Sequence, residues 1–332
     1  MTEFLETCYA AIRMQEKSIA RAIAAATDTS ISVIEDKKQI VLIGCGDSYA
    51  AADYGRWAFL SIGLNVQSVS PDETRYLRID QDTVVIGITA SGRSLATIDA
   101  LQRAKSQSAT IVVLTDNAEG AASQEADHVW VTNSGVETYN TSPSAPTTAA
   151  MAYLLEISSK VGSDDKTIDD IQKLKNVGRE MMTWAEEEGR RISKVTSPNV
   201  PIYLISDGPN HVAAQIGMMK FDEFSILKGI AAVREEFCHH YNISVNDGEC
   251  AVLISNSPKS ASDDTFIDVL RGPLKMSAYH LFTDETLDLE LPLVQTIPNT
   301  IALQMASYFT VLRYNPGKEA FKLPHAEAFK IY

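Results

Sequence analysis

The chain has 332 residues, 45% of them hydrophobic, and a formal net charge of −14 at pH 7. This length and apolar content are enough for two ordinary domains with buried cores. The acidic balance disfavours a nucleic-acid partner, because such a protein needs a basic surface to displace counterions from the phosphate backbone.

Membrane and metal sites are also disfavoured. The sequence contains no run of 18 apolar residues, and its acidic, amphipathic N-terminus does not suit a signal peptide. Cys8, Cys45, Cys238 and Cys250 have no Cys-x-x-Cys spacing, which predicts neither a disulfide framework nor a zinc site. We therefore expect a cytoplasmic protein that binds neither a metal nor another cofactor.

In chain order, amphipathic spacing first predicts a helix over residues 3–28, after which aliphatic strands alternate with helices. The first-half strands are expected near 39–44, 65–70, 83–88, 110–115 and 128–132. One of the intervening helices is expected at Ser94–Ser106, where Ser94 is a suitable N-cap. This alternation is typical of a parallel, doubly wound sheet.

The second half loosely repeats this order. An apolar helix is expected at 146–160, and the charged stretch from Asp164 to Lys194 has no strand pattern, so we interpret it as a helical connector. Further strands are expected at 200–205, 250–254 and 279–282, and helices near 263–275 and 297–313. The sequence thus predicts an α/β protein with two tandem, doubly wound parallel-sheet domains.

Two loops rich in glycine and hydroxyl groups follow predicted strands and lead into helices. They are Gly44–Tyr49, with the sequence GCGDSY, and Thr89–Ser94, with the sequence TASGRS. A helix N-terminus after such a loop presents N–H groups and a favourable dipole to an anion. Because neighbouring parallel strands bring both loops to one edge of the sheet, we predict a phosphate-binding crevice there. The alternative is that these residues only form and cap strand-to-helix turns.

A dinucleotide-binding fold is a competing interpretation of the first loop. Gly44 and Gly46 match the first two glycines of that fingerprint, but the third glycine is missing. The first acidic residues near the second strand, Asp72 and Glu73, lie beyond it and after Pro71. A nicotinamide cofactor is therefore not expected.

A third polar loop follows the strand expected at 128–132. It covers Glu137–Thr148 and leads into the helix at 146–160. Its hydroxyl groups, Ser142 among them, would close over a ligand held at the same edge, and an ordinary capped loop is the open alternative.

The second half carries candidate acids and bases. Lys220 and Glu223 are three residues apart on one face of a predicted helix. This spacing fits either a functional pair or a solvated ion pair. His239 lies in Arg234–Tyr241, a segment without clear periodicity that places acidic and imidazole groups side by side. A single histidine that acts as an acid or base fits this pattern better than a metal site formed by His239 and His240 together. The alternative is that the two histidines are a pair of surface residues.

Taken in order, these motifs resemble the sugar isomerase (SIS) domain family. The resemblance is closest to the isomerase module of glucosamine-6-phosphate synthase and to stand-alone amino-sugar-phosphate deaminases and fructosamine deglycases. The first two loops are similar to the family's small-Cys-Gly-Thr-Ser-Tyr and Ser-Gln-Ser-Gly-x-Thr/Ser loops, and Glu137–Thr148 is similar to its Glu-x-x-x-x-Ser…Thr-Thr loop. Lys220–Glu223 and Glu236–His239 are similar to its Lys-Leu-Lys-Glu and Glu-Leu-Lys-His motifs.

The resemblance implies flavodoxin-like domains and a role for each motif. Phosphate and substrate binding would fall to Cys45, Gly46, Ser48, Thr89, Ala90, Ser91, Ser94, Ser142 and Lys220. Glu223 would be the base that moves a proton between C1 and C2 of the sugar. His239 would open the sugar ring and would come from the neighbouring subunit of a homodimer with a shared active site. A tail lysine would close over the open-chain sugar, with Lys330 favoured over Lys322, although an ungapped alignment places His325 there.

The implied domain scheme has five parts. These are an N-terminal helix (1–30), a first SIS domain (31–165), a helical connector (166–195), a second SIS domain (196–315) and a C-terminal tail (316–332). The expected activity is that of an amino-sugar-phosphate deaminase or isomerase similar to glucosamine-6-phosphate deaminase. Alternatives are an aldose–ketose phosphosugar isomerase, a fructosamine-phosphate deglycase and a non-catalytic sugar-phosphate sensor. The substrate is left open, because Asp47 replaces a threonine and Arg93 an acidic residue of the synthase pattern.

Overall fold

A computed structural model describes residues 2–35, 37–135 and 145–321 of the chain. These residues form two compact units. The first-sheet unit comprises the described residues between 17 and 175, and the second-sheet unit comprises residues 2–16 and 176–321. Within the described ranges, no helix is both long enough and apolar enough to span a membrane.

Helices and parallel strands alternate along the chain. The helices are α1 (Glu3–Arg13), α2 (Gln15–Thr27), α3 (Ser32–Glu35), α4 (Asp47–Ser61), α5 (Leu95–Ser106), α6 (Ala145–Gly162), α7 (Asp165–Asn176), α8 (Gly178–Val195), α9 (Asn210–Lys220), α10 (Arg234–Glu236), α11 (Asn242–Ser244), α12 (Ala261–Arg271) and α13 (Pro292–Tyr314). The strands are β1 (Gln39–Ile43), β2 (Val66–Val69), β3 (Thr83–Ile88), β4 (Thr110–Thr115), β5 (His128–Val131), β6 (Ile202–Ser206), β7 (Gly229–Val233), β8 (Cys250–Ile254) and β9 (Ser277–Leu281). Short 3-10 helices cover Pro71–Tyr76 and Ala121–Glu125, and π-helical turns cover Phe221–Ser225 and Phe237–Tyr241.

The first sheet has the order β2-β1-β3-β4-β5, and all its strands are parallel. This is the flavodoxin-like order, in which β2 is added on one side of β1 and the later strands are added on the other side, beginning with β3. The central strands are aliphatic and buried on both faces, as expected when helices cover a parallel sheet on each side. On one face, Val41, Val85 and Ile111 pack in the same cluster as Ala100 and Leu101 of α5.

The second sheet has the order β7-β6-β8-β9 and is also parallel. It repeats the first four positions of the first sheet's order. One side of its core contains Tyr203, Leu253 and Ile267 from β6, β8 and α12, together with Phe237. The predicted α/β class with parallel sheets is confirmed.

Several boundaries differ from the sequence prediction. The single helix expected at 3–28 is two helices separated at Met14, whose N–H closes the last turn of α1 on the carbonyl of Ala10. Strand β7 was not predicted, because its residues Gly-Ile-Ala-Ala-Val carry little of the bulky β-branched pattern that indicates a strand. Helix α13 begins at Pro292 instead of 297, because proline is well suited to the first helical position.

Candidate active site

The carboxyl ends of β1 and β3 lie side by side, with Ile43 opposite Gly87. Each strand is followed by one of the two predicted anion-binding loops, and each loop leads into a helix. This edge is the topological switch point of the first sheet, where open α/β sheets bind their ligands.

The first loop depends on two glycines. A Cβ atom on Gly44 would lie 2.5 Å from the backbone carbonyl carbon and oxygen of Ser48, so no larger residue fits where the loop meets the first turn of α4. Gly46 is the N-cap of α4 and has a φ of 55°, a conformation that favours glycine. Because Gly46 has no side chain, the first N–H groups of α4 receive no side-chain cap from this residue.

The second loop is held by the loop that follows β4. Gly92 has a φ of 69°, and a Cβ atom there would lie 2.8 Å from the Cα atom of Gly120. The carbonyl of Gly92 accepts a hydrogen bond of 2.9 Å from the N–H of Ala122, and the Asn117 amide donates to the carbonyl of Ser91 at 3.0 Å. Sequence reasoning missed this support, because the sequence does not show which distant loop contacts Gly92.

The two loops are joined through side chains. The Ser94 hydroxyl donates to the Cys45 thiol at 3.5 Å, and the Thr97 hydroxyl donates to the Ser94 oxygen at 3.1 Å. Ser94 is the N-cap of α5, as predicted, but its side chain makes no capping hydrogen bond because it is turned toward Cys45. Thr97 was not among the predicted site residues, although it stands one helical turn after Ser94.

The remaining predicted phosphate-binding residues differ in exposure. Thr89 is only 4% exposed, and its N–H bonds to the carbonyl of Leu114 in β4. Ser48, Ala90 and Ser91 are half-buried, whereas Cys45 and Gly46 are exposed. Most of these residues are therefore at least partly exposed to solvent.

Asp47 adds a carboxylate to this edge. It is the first residue of α4, and its Oδ2 accepts a hydrogen bond of 3.1 Å from the Thr147 hydroxyl in the first turn of α6. A helix N-terminus stabilises a carboxylate for the same reason that it stabilises a phosphate. Asp47 therefore makes the edge less favourable to a second negative charge than a threonine would.

The predicted lysine–glutamate pair is formed in the second-sheet unit. Lys220 ends α9, and Glu223 lies in the π-helical turn that follows. The Lys220 ammonium is 2.6 Å from Oε1 of Glu223, and the two side chains are 1% and 44% exposed. A buried ammonium group is stable only with a polar partner, and here it stabilises the negative charge of a carboxylate that solvent reaches.

Backbone and side-chain contacts surround Glu223. The Asp222 carboxylate accepts a hydrogen bond of 2.8 Å from the N–H of Gly229, and burial raises the pKa of Asp222. Phe224 is fully buried, with its ring 6.2 Å from the rings of Phe4 and Tyr308. The turn thus exposes Glu223 between two anchored neighbours.

His239 occupies an exposed helical segment. Its side chain is 69% exposed, and Nε2 lies 2.9 Å from Oε1 of Glu235. His240 is also exposed, with Nδ1 3.6 Å from Oε2 of Glu236. Over the described part of the chain, no group of His, Cys, Asp and Glu side chains has the arrangement of a metal site.

Five residues named in the sequence analysis lie outside the described residues. They are Glu137, Ser142, Lys322, His325 and Lys330. The roles given to Ser142 and the tail therefore stay predictions.

Residues 33–158, which contain β1 to β5 and both loops of the switch-point edge, match the SIS domain family. This segment is a SIS domain. The match ends at residue 158 and includes no strand of the second sheet.

The sequence similarity to known proteins extends beyond the SIS domain. The chain is 26% identical over 256 residues to the glutamine–fructose-6-phosphate aminotransferase of Caldanaerobacter subterraneus subsp. tengcongensis, covering 74% of this chain and 41% of that protein. The chain therefore spans about two fifths of the length of this relative.

Solved structures share the fold over nearly the whole chain. The glucosamine-6-phosphate deaminase of Thermotoga maritima matches with a TM-score of 0.77 and 13% identity, covering 93% of this chain and 95% of that one. The tagatose-6-phosphate ketose/aldose isomerase of Escherichia coli matches with a TM-score of 0.75 and 16% identity, covering 93% of each chain. At these identities the likeness shows the fold.

Proposed function

We propose that the chain is a phosphosugar enzyme that converts an amino-sugar phosphate such as glucosamine 6-phosphate into fructose 6-phosphate and ammonia. The observation that carries this proposal is the contact between the buried Lys220 ammonium and the solvent-accessible Glu223 carboxylate. Isomerisation needs a carboxylate held in one place that meets the substrate, and this pair provides it. The SIS domain and the fold shared with the Thermotoga maritima deaminase support a sugar phosphate as the substrate.

Glu223 is proposed to act on the open-chain sugar. It takes the proton from C2 and returns it to C1, while the amine nitrogen loses one proton and O1 gains one, so that the aldehyde becomes a hydroxymethyl group and the amine becomes an imine at C2. Water then adds to C2, the C–N bond breaks, and ammonia leaves. Lys220 stabilises the negative charge of the Glu223 carboxylate and supports the substrate.

The switch-point loops are proposed to bind the phosphate. Main-chain N–H groups and the hydroxyls of Ser48, Thr89, Ser91 and Ser94 would hold it, with Cys45, Gly46 and Ala90 shaping the loop. A phosphate held away from the reacting carbons supplies binding energy that fixes C1 and C2. His239 is proposed to open the ring in the neighbouring subunit of a homodimer, and Lys330 to close over the open chain.

We also propose domain boundaries for the rest of the chain. Residues 196–315 are proposed to be a second SIS domain, because β7-β6-β8-β9 repeats the strand order of the first. Residues 1–30, 166–195 and 316–332 are proposed as N-terminal helix, connector and tail.

The proposal is tested by incubating the full chain with glucosamine 6-phosphate and measuring ammonia and fructose 6-phosphate separately. Equal amounts of both are expected. Glu223→Gln is expected to lower the rate by about 10²–10⁴-fold, because a general base of this kind contributes that much. Glu285→Gln is the matched control, since Glu285 is exposed in the same unit, and it is expected to keep the wild-type rate. Full turnover by Glu223→Gln would show that the base is wrongly assigned.

An aldose–ketose phosphosugar isomerase is the second candidate, supported by the fold shared with the Escherichia coli tagatose-6-phosphate isomerase. In that case sugar phosphates without an amino group would be converted, and amino-sugar phosphates would give no ammonia. Amine release from a phosphorylated fructosamine would instead indicate a deglycase. Thermal stabilisation by sugar phosphates without any turnover would indicate a sensor.

A further inference from the structure

The turn that carries Glu223 ends in a strained conformation. The π-helical turn Phe221–Ser225 is followed by Ile226, whose φ of 58° and ψ of 35° lie in the left-handed region. A β-branched residue rarely adopts this region, because its side chain crowds the backbone. Such a residue persists only where surrounding contacts hold the backbone in place. The contacts that hold this turn therefore bear on the position of Glu223.

Three of these contacts involve one buried serine of α13. Ser307 is 0% exposed, and its hydroxyl donates to the carbonyl of Lys220 at 2.7 Å. The same oxygen lies 2.6 Å from the Ser225 hydroxyl, which also donates to the Ser307 carbonyl at 3.0 Å. Since each hydroxyl has one proton and Ser307 donates its own to Lys220, the single Ser225 proton is shared between the hydroxyl and carbonyl oxygens of Ser307. This chain of hydrogen bonds joins both sides of the turn to α13.

Glu223 lies between the two points that Ser307 holds. Lys220 precedes it and Ser225 follows it, while the Glu223 side chain itself is 44% exposed. Its position therefore depends on the backbone that these serines fix. A displacement of about 1 Å at a reacting group can lower the rate by about 100-fold.

We propose that Ser307 is a positioning residue for the proton transfer by Glu223, with Ser225 as its partner. This inference rests on the proposed function of Glu223. Ser307 acts through the turn and does not touch the substrate. Removing its hydroxyl leaves the buried carbonyl of Lys220 without this donor and releases one side of the turn.

The test compares Ser307→Ala with Thr300→Ala in the full chain, using the ammonia and fructose 6-phosphate assay. Thr300 is the matched control, because it is a fully buried hydroxyl residue on the same helix whose hydroxyl bonds to the Thr296 carbonyl within that helix. Ser307→Ala is expected to lower kcat by about 10- to 100-fold with KM changed by less than about twofold. Thr300→Ala is expected to lose thermal stability without this loss of kcat.

Two further variants separate positioning from a general loss of structure. Ser307→Thr keeps the hydroxyl and is expected to recover most of kcat. In a Glu223→Gln background, Ser307→Ala is expected to have no further effect on the residual rate, because the group that it positions is already missing.

Each outcome bears on a separate claim. Wild-type kcat in Ser307→Ala, together with an inactive Glu223→Gln, would overturn the positioning role and leave the proposed function standing. Full activity of Glu223→Gln would overturn the role of Glu223 as the base, whereas the absence of ammonia with the wild-type chain would overturn the proposed function itself. If Ser307→Ala fails to fold, Ser225→Ala serves in its place, because Ser225 is only half-buried; an unchanged kcat there would equally overturn the inference.

Discussion

The two sheets share a strand order but differ at their carboxyl edges. In the first, the loop after β3 ends at Ser94, whose hydroxyl makes no capping hydrogen bond to α5 and is turned toward Cys45. In the second, the loop after β8 ends at Ser260, whose hydroxyl caps α12 and whose N–H donates to the carboxylate of Asp263 at 2.8 Å. Arg234 completes this arrangement, with a nitrogen 2.5 Å from Asp263.

The difference shows that a hydroxyl-rich loop is not sufficient for an anion site. Hydroxyl residues have the same spacing in both loops, at Thr89, Ser91 and Ser94 and at Ser255, Ser257 and Ser260. In the second unit an internal carboxylate already occupies the N-terminus of α12, so its dipole and N–H donors are satisfied within the chain. In the first unit, Thr97 stands at the helical position that Asp263 has in α12.

The largest effect is expected from giving the first edge the capping residue of the second. Thr97→Asp would place a carboxylate at the N-terminus of α5, where the phosphate is proposed to bind. Two like charges about 5 Å apart at an effective dielectric constant of about 20 repel by about 3 kcal/mol, which corresponds to about a 100-fold weaker affinity. The affinity for fructose 6-phosphate, measured by calorimetry, tests this expectation.

Thr97→Asn is the control for this variant, since it has nearly the same shape as the aspartate but no charge. Equal affinities of the two variants would show that the phosphate does not bind at the N-terminus of α5.

A smaller effect is expected from removing the charge of Asp263, the carboxylate at the N-terminus of α12. Burial alone would raise the pKa of Asp263, but hydrogen bonds from Ser260 and the Arg234 guanidinium lower it. A carboxylate whose pKa is lowered by folding stabilises the protein above its unfolded pKa of about 3.9, and this contribution disappears as the pH falls through the folded pKa. Asp263→Asn is therefore expected to lose about 1–2 kcal/mol at pH 7 and progressively less below pH ~4.

Urea unfolding of Asp263→Asn and wild type across this pH range measures the difference. Asp264→Asn is a suitable comparison, because Asp264 forms an exposed ion pair with Lys259 that is worth little. A loss that stayed constant with pH would contradict the role of the Asp263 charge.

The smallest effect is expected from removing the two N-cap hydroxyls. Ser260→Ala is expected to cost about 1 kcal/mol, the usual value of a serine cap. Ser94→Ala is expected to cost clearly less, since its hydroxyl makes no capping hydrogen bond. Thermal unfolding of both variants makes this comparison, and equal losses would remove the contrast between the edges.

The sequence predicts this fold well where a single element determines it. The aliphatic runs of β1, β3, β4 and β8 are evident because buried parallel strands are continuously apolar. Strand β7 was missed, since its Gly and Ala residues are positioned by the sheet and not by their own preference. The Ser-x-x-Asp signature at Ser260–Asp263 is also present in the sequence, but only the geometry shows how it differs from the similar loop at Thr89–Ser94.

The candidate site was predictable only in part. The spacing of Lys220 and Glu223 indicated their contact, because both groups belong to one local segment. Thr97 was missed although its contact with Ser94 is local. Asn117 and Ser307 were missed, since each acts on a residue that becomes its neighbour only through tertiary packing. Supporting contacts of this kind leave no periodic signal in a single sequence.

The exposure of Cys45 has a practical consequence. Burial raises the pKa of Cys8 to about 11 and also raises that of Cys250, so these two thiols react slowly with alkylating reagents. Cys45 and Cys238 are exposed, and only Cys45 lies between the two switch-point loops. Slower labelling of Cys45 is therefore expected when a ligand occupies that edge, and this measurement needs no turnover.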